Sequence, residues 1–125
     1  MEPKKVLLID DEVNFTRLVK LNLEHTGRYL VRIENHGTLG AAAAKEFLPD
    51  IIFLDIIMPD MDGSDVAIQL AEADATRNIP VVFLTAMVKK EEAHGPGNKI
   101  AGRVFLAKPV KLQELIDCIE KNARK

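Results

Sequence analysis

Five short apolar runs recur at fairly even spacing along the chain: Val6 to Ile9, Leu30 to Ile33, Ile51 to Leu54, Val81 to Leu84, and Val104 to Leu106. Four are continuous rather than alternating, the pattern of parallel strands covered on both faces. The second, Leu30-Val31-Arg32-Ile33-Glu34, mixes in charge like a strand at a sheet edge. Segments of helical character lie between the runs. In Glu12 to Thr26, Phe15, Leu18, Val19, Leu21 and Leu23 spread over a broad face, and Gly27 is placed to stop the helix. Thr38 to Leu48 is alanine-rich and closes before Pro49, which disfavours helix at the residue before it. Ser64 is expected to cap the next helix, whose Val66, Ala67, Leu70 and Ala71 share a side. Leu112, Leu115, Ile116 and Ile119 form the cleanest amphipathic stripe.

Strands alternating with helices imply βαβ units with right-handed crossovers, hence a (βα)5 three-layer α/β sandwich around a parallel sheet. One connection departs from the pattern. Between Thr85 and Arg103, His94-Gly95-Pro96-Gly97-Asn98 should break any regular helix, so the fourth helix is expected to be atypical: short, displaced or partly irregular.

With 125 residues, 47% of them hydrophobic, the chain is expected to be one domain over 1–125. A formal net charge of −2 supplies no global positive field, so direct nucleic-acid binding is not expected. Cys118 is the single cysteine and has no intramolecular disulfide partner. No signal-peptide pattern precedes the first run, and the apolar runs fall far below the roughly 18 residues that cross a bilayer. A cytoplasmic protein without a membrane span is the expectation.

In open α/β sheets, ligands sit beyond the carboxyl ends of the strands. The first run ends in Asp10-Asp11, the third in Asp55, the fourth in Thr85 and the fifth in Lys108, so all four sets land on one rim. Three crowded carboxylates repel; at about 5 Å and an effective dielectric of about 20, each pair costs on the order of 3 kcal/mol. A hard divalent cation that keeps waters and also binds phosphate, Mg²⁺, offsets that repulsion best. Lys108 supplies a second positive charge. A cation and an ammonium around one carboxylate are what phosphoryl transfer to Asp55 requires, and Thr85 is placed to hydrogen-bond a phosphoryl oxygen.

Asp10-Asp11, Asp55 followed by Met58-Pro59-Asp60-Met61-Asp62-Gly63, Thr85-Ala86, and Phe105-Leu106-Ala107-Lys108-Pro109 together resemble the response-regulator receiver family of two-component signalling. The resemblance covers nearly the whole chain and departs mainly at Val88 to Gly102. It implies a flavodoxin-like fold with strand order 2-1-3-4-5 and a receiver domain with no output domain present. It also implies Asp55 as phosphoacceptor, and Mg²⁺ held by Asp10, Asp11, Asp55 and the backbone carbonyl of Ile57. Lys108 would bind the phosphoryl group, with Lys108-Pro109 a cis peptide. Thr85 and Phe105 would form the switch pair, acting on the surface around the fourth helix, fifth strand and fifth helix. Many relatives carry tyrosine where Phe105 stands, so output here must rely on packing. The implied partners are a sensor histidine kinase or histidine phosphotransfer protein within a phosphorelay, and an output partner the residues do not identify. Homodimerisation on activation stays open. The domain is expected to be no enzyme beyond its own phosphotransfer and dephosphorylation.

Each residue also has a plainer account. Asp10-Asp11 could be a solvated helix start, Asp55 a strand-end turn residue, Thr85 a cap and Phe105 ordinary core. Gly95-Pro96-Gly97-Asn98-Lys99 lacks the spacing of a phosphate-binding loop and reads as a turn. His25, His36 and His94 read as surface residues, and Met58 and Met61 as loop packing. A haloacid-dehalogenase-type phosphatase also uses a strand-end aspartate and Mg²⁺, but normally carries an acid two positions later, where Ile57 stands. A flavin binder lacks a phosphate cradle here, and 5% aromatic residues leave few rings to sandwich it. An interaction-only pseudo-receiver is opposed by the intact acidic set.

Overall fold

The computed structural model describes residues 2–86, 98–100 and 103–124, with 98–100 and Arg103 as backbone only. The chain alternates β1 (Lys4–Ile9), α1 (Val13–His25), β2 (Tyr29–Glu34), α2 (Gly40–Phe47), β3 (Ile51–Asp55), α3 (Gly63–Glu72) and β4 (Val81–Thr85). After β4 come β5 (Asn98–Ile100), β6 (Arg103–Ala107) and α4 (Leu112–Asn122). A 3-10 turn at Gly37–Leu39 leads into α2.

The strands form one sheet in the order β2-β1-β3-β4-β6-β5. The five strands expected from the apolar runs are parallel in the order 2-1-3-4-5, β6 being the fifth of them. Leu54 pairs with Phe83, and Phe83 with Phe105. Every residue of β3 is buried, because neighbouring strands flank it and helices cover both faces. β2 lies at an edge, in keeping with its mixed sequence, and Leu30 there is exposed.

Alternate residues feed two cores. On one face Val6, Leu8, Phe53, Val82 and Leu84 pack with Val19 and Leu23 of α1 and Leu115, Ile116 and Ile119 of α4. On the other, Leu7, Ile9, Ile52, Leu54 and Phe83 meet Ala43 and Ala44 of α2 and Val66, Ala67 and Leu70 of α3. Each large apolar side chain buried here contributes roughly 1.5–3 kcal/mol, which makes the strand runs the main source of stability.

Some local expectations change. The buried stripe of α1 is narrower than its composition suggests: Val19 and Leu23 are buried, whereas Leu18 and Leu21 face solvent. Ser64 does not cap α3. Asp62 holds the extended position before the helix, and Ser64 falls within the first turn. α2 ends where expected, with Leu48 in the left-handed region (φ 50°) just before Pro49. Asn98–Ile100 add a short antiparallel strand on β6 that the apolar pattern did not announce. The expected fourth helix otherwise falls in 87–97 and 101–102, outside the described residues, as does His94. Among the described residues there are four helices, and no helix is long and apolar enough to cross a membrane.

Candidate functional site

β1 lies between β2 and β3, so the order of strands reverses there and the loops leaving β1 and β3 diverge to open a crevice at their carboxyl ends. Asp10 follows β1, Asp55 ends β3, Thr85 ends β4 and Lys108 follows β6. Parallel strands bring all four to one rim. Asp11, Glu12, Asp55, Ile57, Thr85, Ala86 and Lys108 line a cleft of about 300 Å³.

Asp10, Asp11 and Asp55 each offer a carboxylate oxygen, and these atoms lie within 4.8 Å of one another. Lys108 Nζ stands 2.7 Å from Asp10 Oδ2, 2.7 Å from Glu12 Oε1 and 3.7 Å from Asp55 Oδ1. Asp10 is fully buried. Its Oδ1 accepts the Glu12 backbone N–H at 3.0 Å, and Asn35 Nδ2 donates to its carbonyl at 2.7 Å. Among the described residues, the one polar group facing its buried Oδ2 is the Lys108 ammonium, held there as an ion pair at 2.7 Å.

Burial pushes the Asp55 carboxyl up to about 7; the Asp10 charge adds to this and Lys108 pulls against it. Burial likewise raises Asp10, a shift that the nearby Lys108 only partly offsets. Burial disfavours the Lys108 ammonium, but Asp10 and Glu12 outweigh it and hold the amine above its ordinary value. The three carboxylates are thus under-neutralised by one amine. Three carboxylate oxygens within 4.8 Å of one another, one of them on a fully buried residue, are a donor set suited to a hard, oxygen-seeking cation.

The loop after Asp55 is held by its own residues. Gly63 N–H donates to the Ile56 carbonyl at 2.6 Å, and a Cβ at Gly63 would collide with the Asp55 carbonyl and lie 2.8 Å from Ile56 Cα. Asp60 accepts the N–H groups of Gly37 and Thr38, at 3.1 and 3.0 Å, and the Thr38 hydroxyl at 3.0 Å. Those bonds, the Thr38 N–H foremost, hold its carboxyl down at about 2. The loops after β2 and β3 are thereby tied together. Met58 is buried and Met61 packs against the same core.

Of the candidates read from the strand ends, Asp11, Asp55, Thr85 and Lys108 line this cleft, and Asp10 is buried beside it in contact with Lys108. Ile57 lines it with an exposed side chain, which leaves only its backbone to act as a ligand. Thr85 pairs with Ala107, and Phe105 sits two pairs back along β6, half-buried, its ring 5.5 Å from that of Phe83. The Lys108-Pro109 peptide is cis. His25 and His36 are exposed. Sequence reasoning missed Glu12, Asn35 and Asp60. Glu12 had a signal in its place directly after the acidic pair, and Asp60 stood within the motif that follows Asp55, though nothing there named its partners Gly37 and Thr38; Asn35 had none, since its partner Asp10 lies on another loop.

The fold and the rim define a doubly wound α/β domain with a charged pocket at its switch point. Residues 6–120 match the response regulator receiver domain family, and the chain belongs to that family. It is 34% identical over 112 residues to the DNA-binding dual master transcriptional regulator RpaA of Synechocystis, covering 90% of this chain and 46% of that protein. It is 34% identical to protein PilH of Pseudomonas aeruginosa, covering 92% of this chain and 93% of that one. The chain therefore spans about half the length of the first relative and nearly all of the second. The chemotaxis protein CheY4 of Vibrio cholerae shares the fold, with a TM-score of 0.81 and 24% identity across 97% of this chain and 99% of that one.

Proposed function

We propose that Asp55 is the phosphoacceptor of this receiver domain, that Lys108 and Thr85 assist the transfer, and that Asp10, Asp11, Asp55 and the Ile57 carbonyl hold Mg²⁺. The observation that carries the reading is the meeting of three carboxylates with one largely enclosed ammonium at the switch point. The donor is a phosphohistidine on a sensor kinase or phosphotransfer protein. An Asp55 carboxylate oxygen attacks phosphorus, the P–N bond breaks, and the imidazole leaves with the electron pair. Lys108 meets a phosphoryl oxygen as its charge develops, and the Thr85 hydroxyl donates to another. Bound Mg²⁺ supplies charge neutralisation of the carboxylates and of the phosphoryl oxygens. Water later hydrolyses the acyl phosphate, so the domain's only chemistry is on itself.

Phosphorylation adds roughly −1.5 to −2 of charge at serine-type sites, and a comparable increment here draws Thr85 inward with the Phe105 ring behind it. Among the described residues, the surface that responds is built on β6 and α4, and there an output partner or a second copy would read the state. A second cleft, of about 490 Å³ and lined by Glu12, Phe15, Leu18, Ala86, Lys108, Pro109 and Val110, adjoins the acidic one and suits the approach of a donor protein. Such a domain works in the cytoplasm, where its donors hold their phosphoryl groups.

Intact-mass spectrometry after incubation with acetyl phosphate tests the assignment. One phosphoryl increment is expected with Mg²⁺, mapping to Asp55, and none with chelator or in Asp55→Asn. Full labelling of Asp55→Asn removes Asp55 from its role.

A further inference from the structure

Lys108 does not face Asp55 alone. Its ammonium donates a hydrogen bond to Glu12 Oε1 at 2.7 Å, while Asp55 Oδ1 stands a full ångström farther away. Asp10, its other neighbour, is enclosed and held by the Glu12 N–H. Glu12 differs in freedom: its side chain is 60% exposed at the N-terminal end of α1 and lines both clefts.

A phosphoryl group on Asp55 has to draw the ammonium toward its oxygens. Asp10 is fully buried and fixed by the Glu12 N–H, so it cannot swing away from the ammonium, whereas the exposed Glu12 side chain can turn into water and regain its hydration. The contact given up is therefore the one to Glu12.

We propose that Glu12 is a positioning residue that holds Lys108 back from Asp55 in the resting domain and so slows phosphorylation. The inference rests on the phosphoacceptor reading above. With acetyl phosphate, an Asp55 oxygen forms the new P–O bond and acetate leaves with the electrons of the old one. With phosphoramidate, the P–N bond breaks and ammonia leaves. Either way Lys108 must first part from Glu12. An ion pair this exposed changes such a rate by about two- to fivefold.

The test compares the wild type with Glu12→Gln and Glu12→Asp, using both donors in Mg²⁺. Glutamine keeps the length and loses the charge; aspartate keeps the charge but is one methylene short of the amine. Both variants are expected to label about two- to fivefold faster than the wild type with either donor. In metal-free protein, the side-chain ¹⁵N resonance of Lys108 is expected to move in both variants. A gain confined to Glu12→Gln and to the dianionic acetyl phosphate would mean that Glu12 acts only by repelling the donor, and would overturn the proposal. Unchanged or slower labelling, or a stationary Lys108 resonance, overturns it as well. These outcomes leave the phosphoacceptor reading standing as long as the wild type labels at Asp55; a wild type that stays unlabelled brings down both.

Discussion

Asp55→Asn removes a buried negative charge from a cluster that repels it, so the metal-free variant is expected to be more stable than the wild type. The Asp55 carboxyl sits at about 7 in the fold, against about 3.9 in an unfolded chain. A carboxyl raised on folding contributes stability that is fully present below the unfolded value and lost as pH rises through the folded one. The window therefore runs from about pH 4 to about pH 7. About three units at about 1.4 kcal/mol each make the ionised wild type about 4 kcal/mol less stable at about pH 8 than its neutral form, and less than about 1 kcal/mol less stable at about pH 4. The buried amide retains a smaller burial cost, and Asp10 shares the charge, so Asp55→Asn should gain about 2–4 kcal/mol at the higher pH. For a domain of this length that raises the melting temperature by about 6–14 °C. Thermal melts followed by circular dichroism in chelator, across that pH range, read the effect directly. A gain that stays constant from about pH 4 to about pH 8, or a variant melting no higher than the wild type at the upper end, would refute the electrostatic argument.

Mg²⁺ at about a hundred times its dissociation constant should stabilise the wild type by about 2.7 kcal/mol, seen as a rise in melting temperature that is much smaller in Asp10→Ala. Lys108→Ala should keep that Mg²⁺-dependent rise yet lose labelling by acetyl phosphate; normal labelling would dismiss the amine from the reaction. Gly63→Ala forces a Cβ into the Asp55 carbonyl, so urea unfolding should show a loss of about 2–3 kcal/mol or more together with impaired labelling, and an unchanged midpoint would contradict the close approach. Asp60 is held low by its hydrogen bonds, so its contribution to stability is present above about pH 4 and lost as pH falls toward about 2. Asp60→Asn should flatten the acid limb of the unfolding curve, which a pH series of denaturant midpoints would reveal.

The five parallel strands were legible because continuous apolar runs are what a sheet covered on both faces demands, and β3 is buried at every position. The rim was legible for a related reason. Once strands are parallel, their carboxyl ends share one side, so Asp10, Asp55, Thr85 and Lys108 had to converge whatever the details of packing. Other features carried no periodic signal. Leu18 and Leu21 count as apolar in any stripe, yet a helix laid on one sheet face buries only part of its circumference, and Val19 and Leu23 took it. The strand Asn98–Ile100 is too short to show a pattern and exists by pairing with β6.

The order of residue types along the chain thus determined that a doubly wound domain would form and that a rim of three carboxylates and one amine would lie on it. Only the folded structure decided who touches whom there. Glu12 holds Lys108 across 96 positions, Asn35 secures the carbonyl of Asp10, and Asp60 ties two loops that never adjoin in sequence. Such contacts depend on strand register and side-chain direction to within an ångström, and hydrophobic periodicity, which sets faces rather than distances, does not encode them.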